Sequence, residues 1–210
     1  MIPRKPEDIL AESFRIIDKE VGRHSFDICE WLIVQRMIHA SGDVELASLV
    51  HFHNDPVTAG YNALARHTPI VTDVTMVLAG INEVSAKTLG VPLHCFLNEP
   101  GVEKEALARG TTRSAQGFER AMVQMKDAVY VIGNAPTALL ALCAAVRENR
   151  FKPALIVALP VGFVAVTESK EEALRLPVPV ITLRGRKGGS AVAAATVNAL
   201  MLLAIQGNQL

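Results

Sequence analysis

Five short apolar runs constrain this chain more than any other feature of its sequence. They are Pro69-Ile-Val-Thr-Asp73, Val91-Pro-Leu-His-Cys-Phe96, Ala128-Val-Tyr-Val-Ile132, Ala154-Leu-Ile-Val-Ala-Leu159 and Val178-Pro-Val-Ile-Thr-Leu183. Strands that face solvent on one side alternate apolar and polar residues. These runs are continuous, as strands of a parallel sheet buried on both faces must be. Helical patterns separate most of them: Ala115–Lys126, Pro136–Glu148, Lys170–Leu176 and Ser190–Ile205. Three more precede or flank the first run. Glu7 to Val21 is amphipathic, with Leu10, Phe14, Ile17 and Val21 on one face. A second pattern starts after Ser25 and stops at Gly42. A third opens on Asp55-Pro56, an N-cap followed by a first-turn proline. The expected fold is α/β: a single domain over residues 1–210, with a parallel sheet covered by helices on both faces. Asn98–Gly110 reads as a mobile loop.

Half of the 210 residues are hydrophobic, enough for a sizeable core. The 21 basic and 21 acidic side chains balance, which argues against nucleic acid as a partner. Cys29, Cys95 and Cys143 form no CxxC pair, so neither a zinc site nor a disulfide framework is expected. Free thiols fit a reducing cytosol. No apolar signal region opens the sequence. The longest apolar stretch, Ala191 to Ile205, is short for a bilayer and is interrupted by Thr196 and Asn198, which suits a buried helix. A cytoplasmic protein without membrane contact is the expectation.

In an open parallel sheet, ligands sit beyond the carboxyl ends of the strands. That rule selects Thr72-Asp73, Gly133-Asn-Ala-Pro-Thr137, Pro160-Val-Gly-Phe163 and Arg184-Gly-Arg-Lys-Gly-Gly-Ser190. Asn134 is placed to cap a helix whose free amides would welcome an anion. The Arg184–Ser190 loop offers guanidiniums for carboxylate or phosphate, and glycines for close backbone approach. It lacks the order of a phosphate-binding P-loop and of the dinucleotide GxGxxG pattern. Thr111-Thr-Arg-Ser114 precedes another helix and offers a similar anion contact. His39 stands in the last turn of the helix that ends at Gly42, with Arg36 three residues earlier on the same face. The negative end of the helix dipole favours a cation there. Imidazole ordinarily exchanges protons near neutral pH, so the position suits a proton donor. It equally suits a histidine that only caps carbonyls. His51 and His53 flank Phe52 and offer two imidazoles, with no third metal ligand at helical spacing.

Read together, several stretches resemble the precorrin-8X methylmutase family of corrin biosynthesis. They are Ser13-Phe-Arg-Ile-Ile17, Arg36-Met-Ile-His-Ala-Ser-Gly42, Pro69-Ile-Val-Thr-Asp-Val-Thr-Met-Val77, Thr112-Arg-Ser-Ala115, Ile132-Gly-Asn-Ala-Pro-Thr-Ala138, Leu159-Pro-Val-Gly-Phe-Val164, Glu168-Ser-Lys170 and Arg184-Gly-Arg-Lys-Gly-Gly-Ser-Ala191. The resemblance implies a flavodoxin-like, doubly wound fold and a homodimer. It implies isomerisation of precorrin-8X, or its cobalt form, to hydrogenobyrinate or cobyrinate by migration of a methyl group, with no organic cofactor. The family's proton-donating histidine falls on His39. Its substrate-contacting serine and arginines fall on Ser13, Arg36 and Arg113, with Ser114 beside the last. The substrate carries many acetate and propionate arms. Arg36, Arg113, Arg184 and Arg186, with the Asn134 helix terminus, are assigned to hold them. Ala40-Ser41-Gly42 and Thr72–Val77 look closer to the cobalt-handling branch. A non-catalytic tetrapyrrole carrier would share the arginines and not need His39. Hand-over of product to the next pathway enzyme is compatible with either reading.

Overall fold

The computed structural model describes residues 5–207; Met1–Arg4, part of the segment read above for a signal region, and Asn208–Leu210 lie outside them. All five apolar runs are strands: β2 (Ile70–Thr72), β3 (Leu93–Cys95), β4 (Val129–Ile132), β5 (Leu155–Ala158) and β6 (Val180–Leu183). They pair in parallel in the order β3-β2-β4-β5-β6. Numbered among themselves this is 2-1-3-4-5, the flavodoxin-like arrangement. A sixth strand, β1 (Val50–His53), pairs antiparallel to β6 at the edge, with Val50 opposite Leu183. It contains His51-Phe52-His53. All four of its residues are half-buried, so it lacks both the continuous apolar run and the alternation that mark longer strands.

The strands send alternate side chains to two cores. Val129, Val131, Leu155, Val157, Ile181 and Leu183 face one. Tyr130, Ile132, Ile156, Ala158 and Val180 face the other. The first core lies under α2 (Ile28–Ser41), α4 (Pro56–Ala65) and α11 (Ser190–Gly207), with α5 (Thr75–Gly80) and α6 (Glu83–Leu89) beside α11. The second lies under α8 (Arg113–Gln124), α9 (Pro136–Arg147) and α10 (Val166–Leu174). Burying each branched side chain contributes about 1.5–3 kcal/mol, so each face is a substantial store of stability.

α11 runs longer than the apolar stretch suggested. Its 18 residues, of mean hydropathy 1.6, would suffice by length and composition to cross a membrane, yet it packs against four helices and two strands. Its two polar interruptions are used internally. Thr196 Oγ1 donates to Val192 O, and Asn198 bridges Gly80 O and Asn82 N at 2.9 and 2.8 Å. The expected loop over Asn98–Gly110 instead contains α7 (Val102–Ala108). Arg120 on α8 fixes it, donating to Glu105 at 2.6 Å and to Pro100 O at 2.7 Å. α1 (Pro6–Val21) lies on α2, where Asp18 accepts from Trp31 Nε1 and Gln35 Nε2.

Candidate functional site

The strand order reverses between β2 and β4, where a ligand crevice is expected. The chain fills it. Asp73, 1 % exposed, follows β2 and turns its carboxylate onto the start of α9. It accepts from Gly133 N at 3.1 Å, Asn134 N at 2.8 Å and Ala135 N at 2.6 Å. Burial pushes this carboxyl up, against the opposing pull of the three amides. Gly133 is required here: a Cβ would sit 2.6 Å from Val77 and 2.8 Å from the Ser190 backbone. Two expectations are thereby corrected. The amides from Gly133 to Ala135 are taken by Asp73 and are not free for a ligand anion, and Asn134 does not cap α9. Position N-cap falls on Ala135, with no side-chain cap of its own. The Asn134 side chain is exposed and keeps only its amide group to offer a ligand.

His39 is built by α2. A capping box opens that helix, with Glu30 N donating to Asp27 Oδ1 and Asp27 N to Glu30 Oε2. Gly42, at φ +69°, closes it. Two carbonyls at the end of the helix are served from within it: Ser41 Oγ donates to Met37 O, and Gly42 N to Ile38 O. The His39 ring makes no hydrogen bond among the described residues, so carbonyl capping does not describe it. The ring is exposed and meets Phe14 of α1 edge-on, with centroids 5.9 Å apart. On the same ring of Phe14 lies the Arg36 guanidinium, 5.0 Å from the centroid. Arg36 Nε is buried without a partner. Arg36 and His39 line a cavity of about 290 Å³ with Asn82, Ser85 and Asn198. An unpaired buried donor costs about 1–3 kcal/mol. Ser13 neighbours Phe14 on α1, and its hydroxyl donates to Ile9 O at 2.8 Å.

A second group gathers at the starts of α8 and α9. Thr112 caps α8 by accepting from Ala115 N, and its hydroxyl lies 2.7 Å from that of Thr137. Arg113 is exposed at the first position of α8, and Ser114 beneath it is buried. A third group is the loop after β6. Gly188 passes so close to Leu159 O that a side chain would collide with it. Gly189 N donates to the same carbonyl at 2.8 Å. Lys187 is spent on Asp43 and Glu45, both at 2.6 Å, which ties the loop to the segment just beyond His39. Arg184 and Arg186 are exposed and meet no acidic side chain within 4.0 Å among the described residues. Arg186 lies over Phe163, 5.3 Å from the ring centre.

The chain thus brings Arg36, His39 and Phe14 together, and places Arg113 and Ser114 near Thr137 and Arg184 near Arg186. No described contact joins the first group to the second. The sequence selects Pro160–Phe163 only for its place beyond the carboxyl end of a strand. Phe163 and Val164 are 82 % and 84 % exposed, an apolar surface beside the arginines. Sequence reasoning passed over Lys170, whose ammonium donates to Gly185 O and Lys187 O. Its only signal was a place in the Glu168-Ser-Lys170 match.

Fold and site define a flavodoxin-like α/β protein that presents guanidiniums and an exposed imidazole. The family model for precorrin-8X methylmutase matches residues 8–203. Cobalt-precorrin-8 methylmutase of Leptospira interrogans is 41 % identical over 93 % of this chain and 93 % of its own. Precorrin-8X methylmutase of Pseudomonas aeruginosa is 39 % identical over 94 % and 95 %. The crystal structure of precorrin-8X methylmutase from Thermus thermophilus superposes with a TM-score of 0.87 at 40 % identity, covering 95 % of this chain and 98 % of that one. This chain belongs to the precorrin-8X methylmutase family, and is an isomerase of cobalamin biosynthesis.

Proposed function

We propose that this chain moves a methyl group between adjacent carbons of one pyrrole-derived ring, converting cobalt-precorrin-8 to cobyrinate. Precorrin-8X, the metal-free counterpart, would give hydrogenobyrinate. Such a shift needs neither a nucleophile nor a change of oxidation state. It gains from protonation of a ring nitrogen, which draws electron density through the macrocycle. His39 donates that proton as general acid. The cobalt form is favoured by Ala40-Ser41-Gly42 and by the Thr72–Val77 stretch. Several relatives of similar identity carry the cobalt-precorrin name. Any cobalt belongs to the substrate and arrives inside the macrocycle.

The observation that carries this reading is Arg36, its Nε buried and unpaired, on the same phenyl ring as His39. A guanidinium that lacks an acceptor suits a substrate carboxylate, and one bound there would hold the ring system beside the imidazole. Arg113, Arg184 and Arg186 take further arms, with Ser13, Ser114 and the Asn134 side chain as neutral hydrogen-bond partners. A homodimer, a cytoplasmic location and hand-over of the corrinoid to the next enzyme complete the proposal.

The test is anaerobic mixing of the purified protein with precorrin-8X and, separately, with its cobalt form, followed by visible spectroscopy. The expected result is the corrin chromophore from the cobalt form at the higher rate. A spectral shift on binding with no product from either compound would make the protein a carrier and overturn the proposal.

A further inference from the structure

Two charged side chains among the described residues are fully buried, Asp73 and Lys170. Asp73 is met by three amides. Lys170, 2 % exposed, donates only to the neutral carbonyls of Gly185 and Lys187, at 3.0 and 2.5 Å. No carboxylate lies within ion-pair distance of it among the described residues. A buried charge without a counter-charge is costly, and natural structures usually supply the partner. Beside Lys170 is a cleft of about 360 Å³ between α10 and the loop after β6, lined also by Thr167, Glu171, Arg175, Arg184 and Gly185. Arg175 is engaged by Glu172 at 2.5 Å. Glu171 is exposed and forms no ion pair among the described residues. Arg184 is the guanidinium left over.

We propose that this cleft is a carboxylate subsite, contacted by Arg184 and positioned by Lys170. The inference rests on the function proposed above for the identity of the carboxylate, one arm of the macrocycle. A free oxyanion shares the chemistry and is the other source. Lys170 acts through the backbone: the two carbonyls it holds bracket Arg186 and adjoin Arg184, fixing the directions from which both side chains leave the loop. Its charge also completes the field that an oxyanion meets.

The pH dependence follows with a definite sign. Burial lowers the Lys170 amine to about 8. A bound anion favours the charged amine, so affinity is greatest below that value and falls as pH rises through it. Other charged groups face Lys170 and the cleft. Arg175 and Arg147 of α9 are both paired with Glu172, Arg184 forms no ion pair among the described residues, and the ammonium of Lys187 is held up by Asp43 and Glu45. Burial, helped by the charge of Arg184, pushes the His51 ring of β1 below its ordinary 6.5, and Glu171 lines the cleft as an exposed acidic side chain.

The experiment titrates cobyrinate, and separately acetate and inorganic phosphate, into the wild type, Lys170→Met, Arg184→Ala and the double variant, from pH 6.5 to 9.5. Calorimetry reads the corrinoid, and the Gly185 amide resonance reads the small anions. The expected result is a loss of about tenfold or more in corrinoid affinity for each single variant. The loss in the double variant should be smaller than the two single losses combined, and the fall in affinity near pH 8 should vanish in Lys170→Met. In turnover, KM should rise while kcat holds. Small-anion binding with the same dependence on Lys170 and Arg184, and unchanged corrinoid affinity, would assign the cleft to a free oxyanion. Additive losses with affinity flat through pH 8 would make Lys170 a structural residue only and overturn the proposal. Should the wild type bind no corrinoid, the proposed function fails. The small-anion titration then decides the subsite separately, and absence of any shift at Gly185 overturns it. If Lys170→Met does not fold, the wild-type pH profile and Arg184→Ala decide.

Discussion

At the switch point between β2 and β4, three helix-start amides meet a carboxylate supplied by the chain itself. At the end of β6, on the same edge of the same sheet, two guanidiniums meet none among the described residues. Both places have the composition of an anion site, and the difference between them is where the anion comes from. The β2/β4 crevice is closed because the Asp73 carboxylate reaches the amides just ahead of α9, with Gly133 leaving room for Val77 and the Ser190 backbone. The β6 loop stays open because its internal contacts use Lys187, Lys170 and main-chain groups, and leave Arg184 and Arg186 over. One region spends its polar groups on stability and the other keeps them for a ligand.

Breaking the closed region should have the larger effect on folding. Asp73→Ala strands three amides in the interior, and a cost of about 3–5 kcal/mol is expected in urea unfolding. Asp73→Asn keeps the shape and an acceptor, and should cost less. If Asp73→Ala folded as well as the wild type, the crevice would be a ligand site after all. The open region should behave in the opposite way. Replacing Arg184 and Arg186 together by Ala should leave stability within about 0.5 kcal/mol, since both are exposed. It should weaken corrinoid binding by about tenfold or more. Lost stability with intact affinity would place these arginines in the scaffold and erase the contrast.

Much of the fold could be read from the sequence because its dominant signal is local. A strand buried on both faces must be apolar throughout, and that is visible in six residues. β1 escaped because four half-buried residues on an antiparallel edge carry no periodicity. α5, α6 and α7 escaped because six or seven residues are too few to establish one. The site was legible in its residue types and less so in their partners. Asn134 stands where an N-cap should, but the N-cap position falls on Ala135 and the Asn134 amide is taken by Asp73, 61 positions earlier. Lys187 and Arg186 are adjacent in sequence, and only the fold separates the cation tied to Asp43 and Glu45 from the one left open. His39 suited capping as well as catalysis until Ser41 and Gly42 were seen to take the carbonyls of Met37 and Ile38.

Among the described residues the His39 imidazole is left without a hydrogen bond, free to act on a substrate. Single-turnover conversion of cobalt-precorrin-8 by His39→Ala, with corrinoid affinity measured on the same sample, tests it most directly. The expected outcome is a rate lower by about 10²–10⁴ with affinity within about twofold of the wild type. A wild-type rate, or a loss of affinity large enough to explain the loss of turnover, would contradict the role of His39 as proton donor.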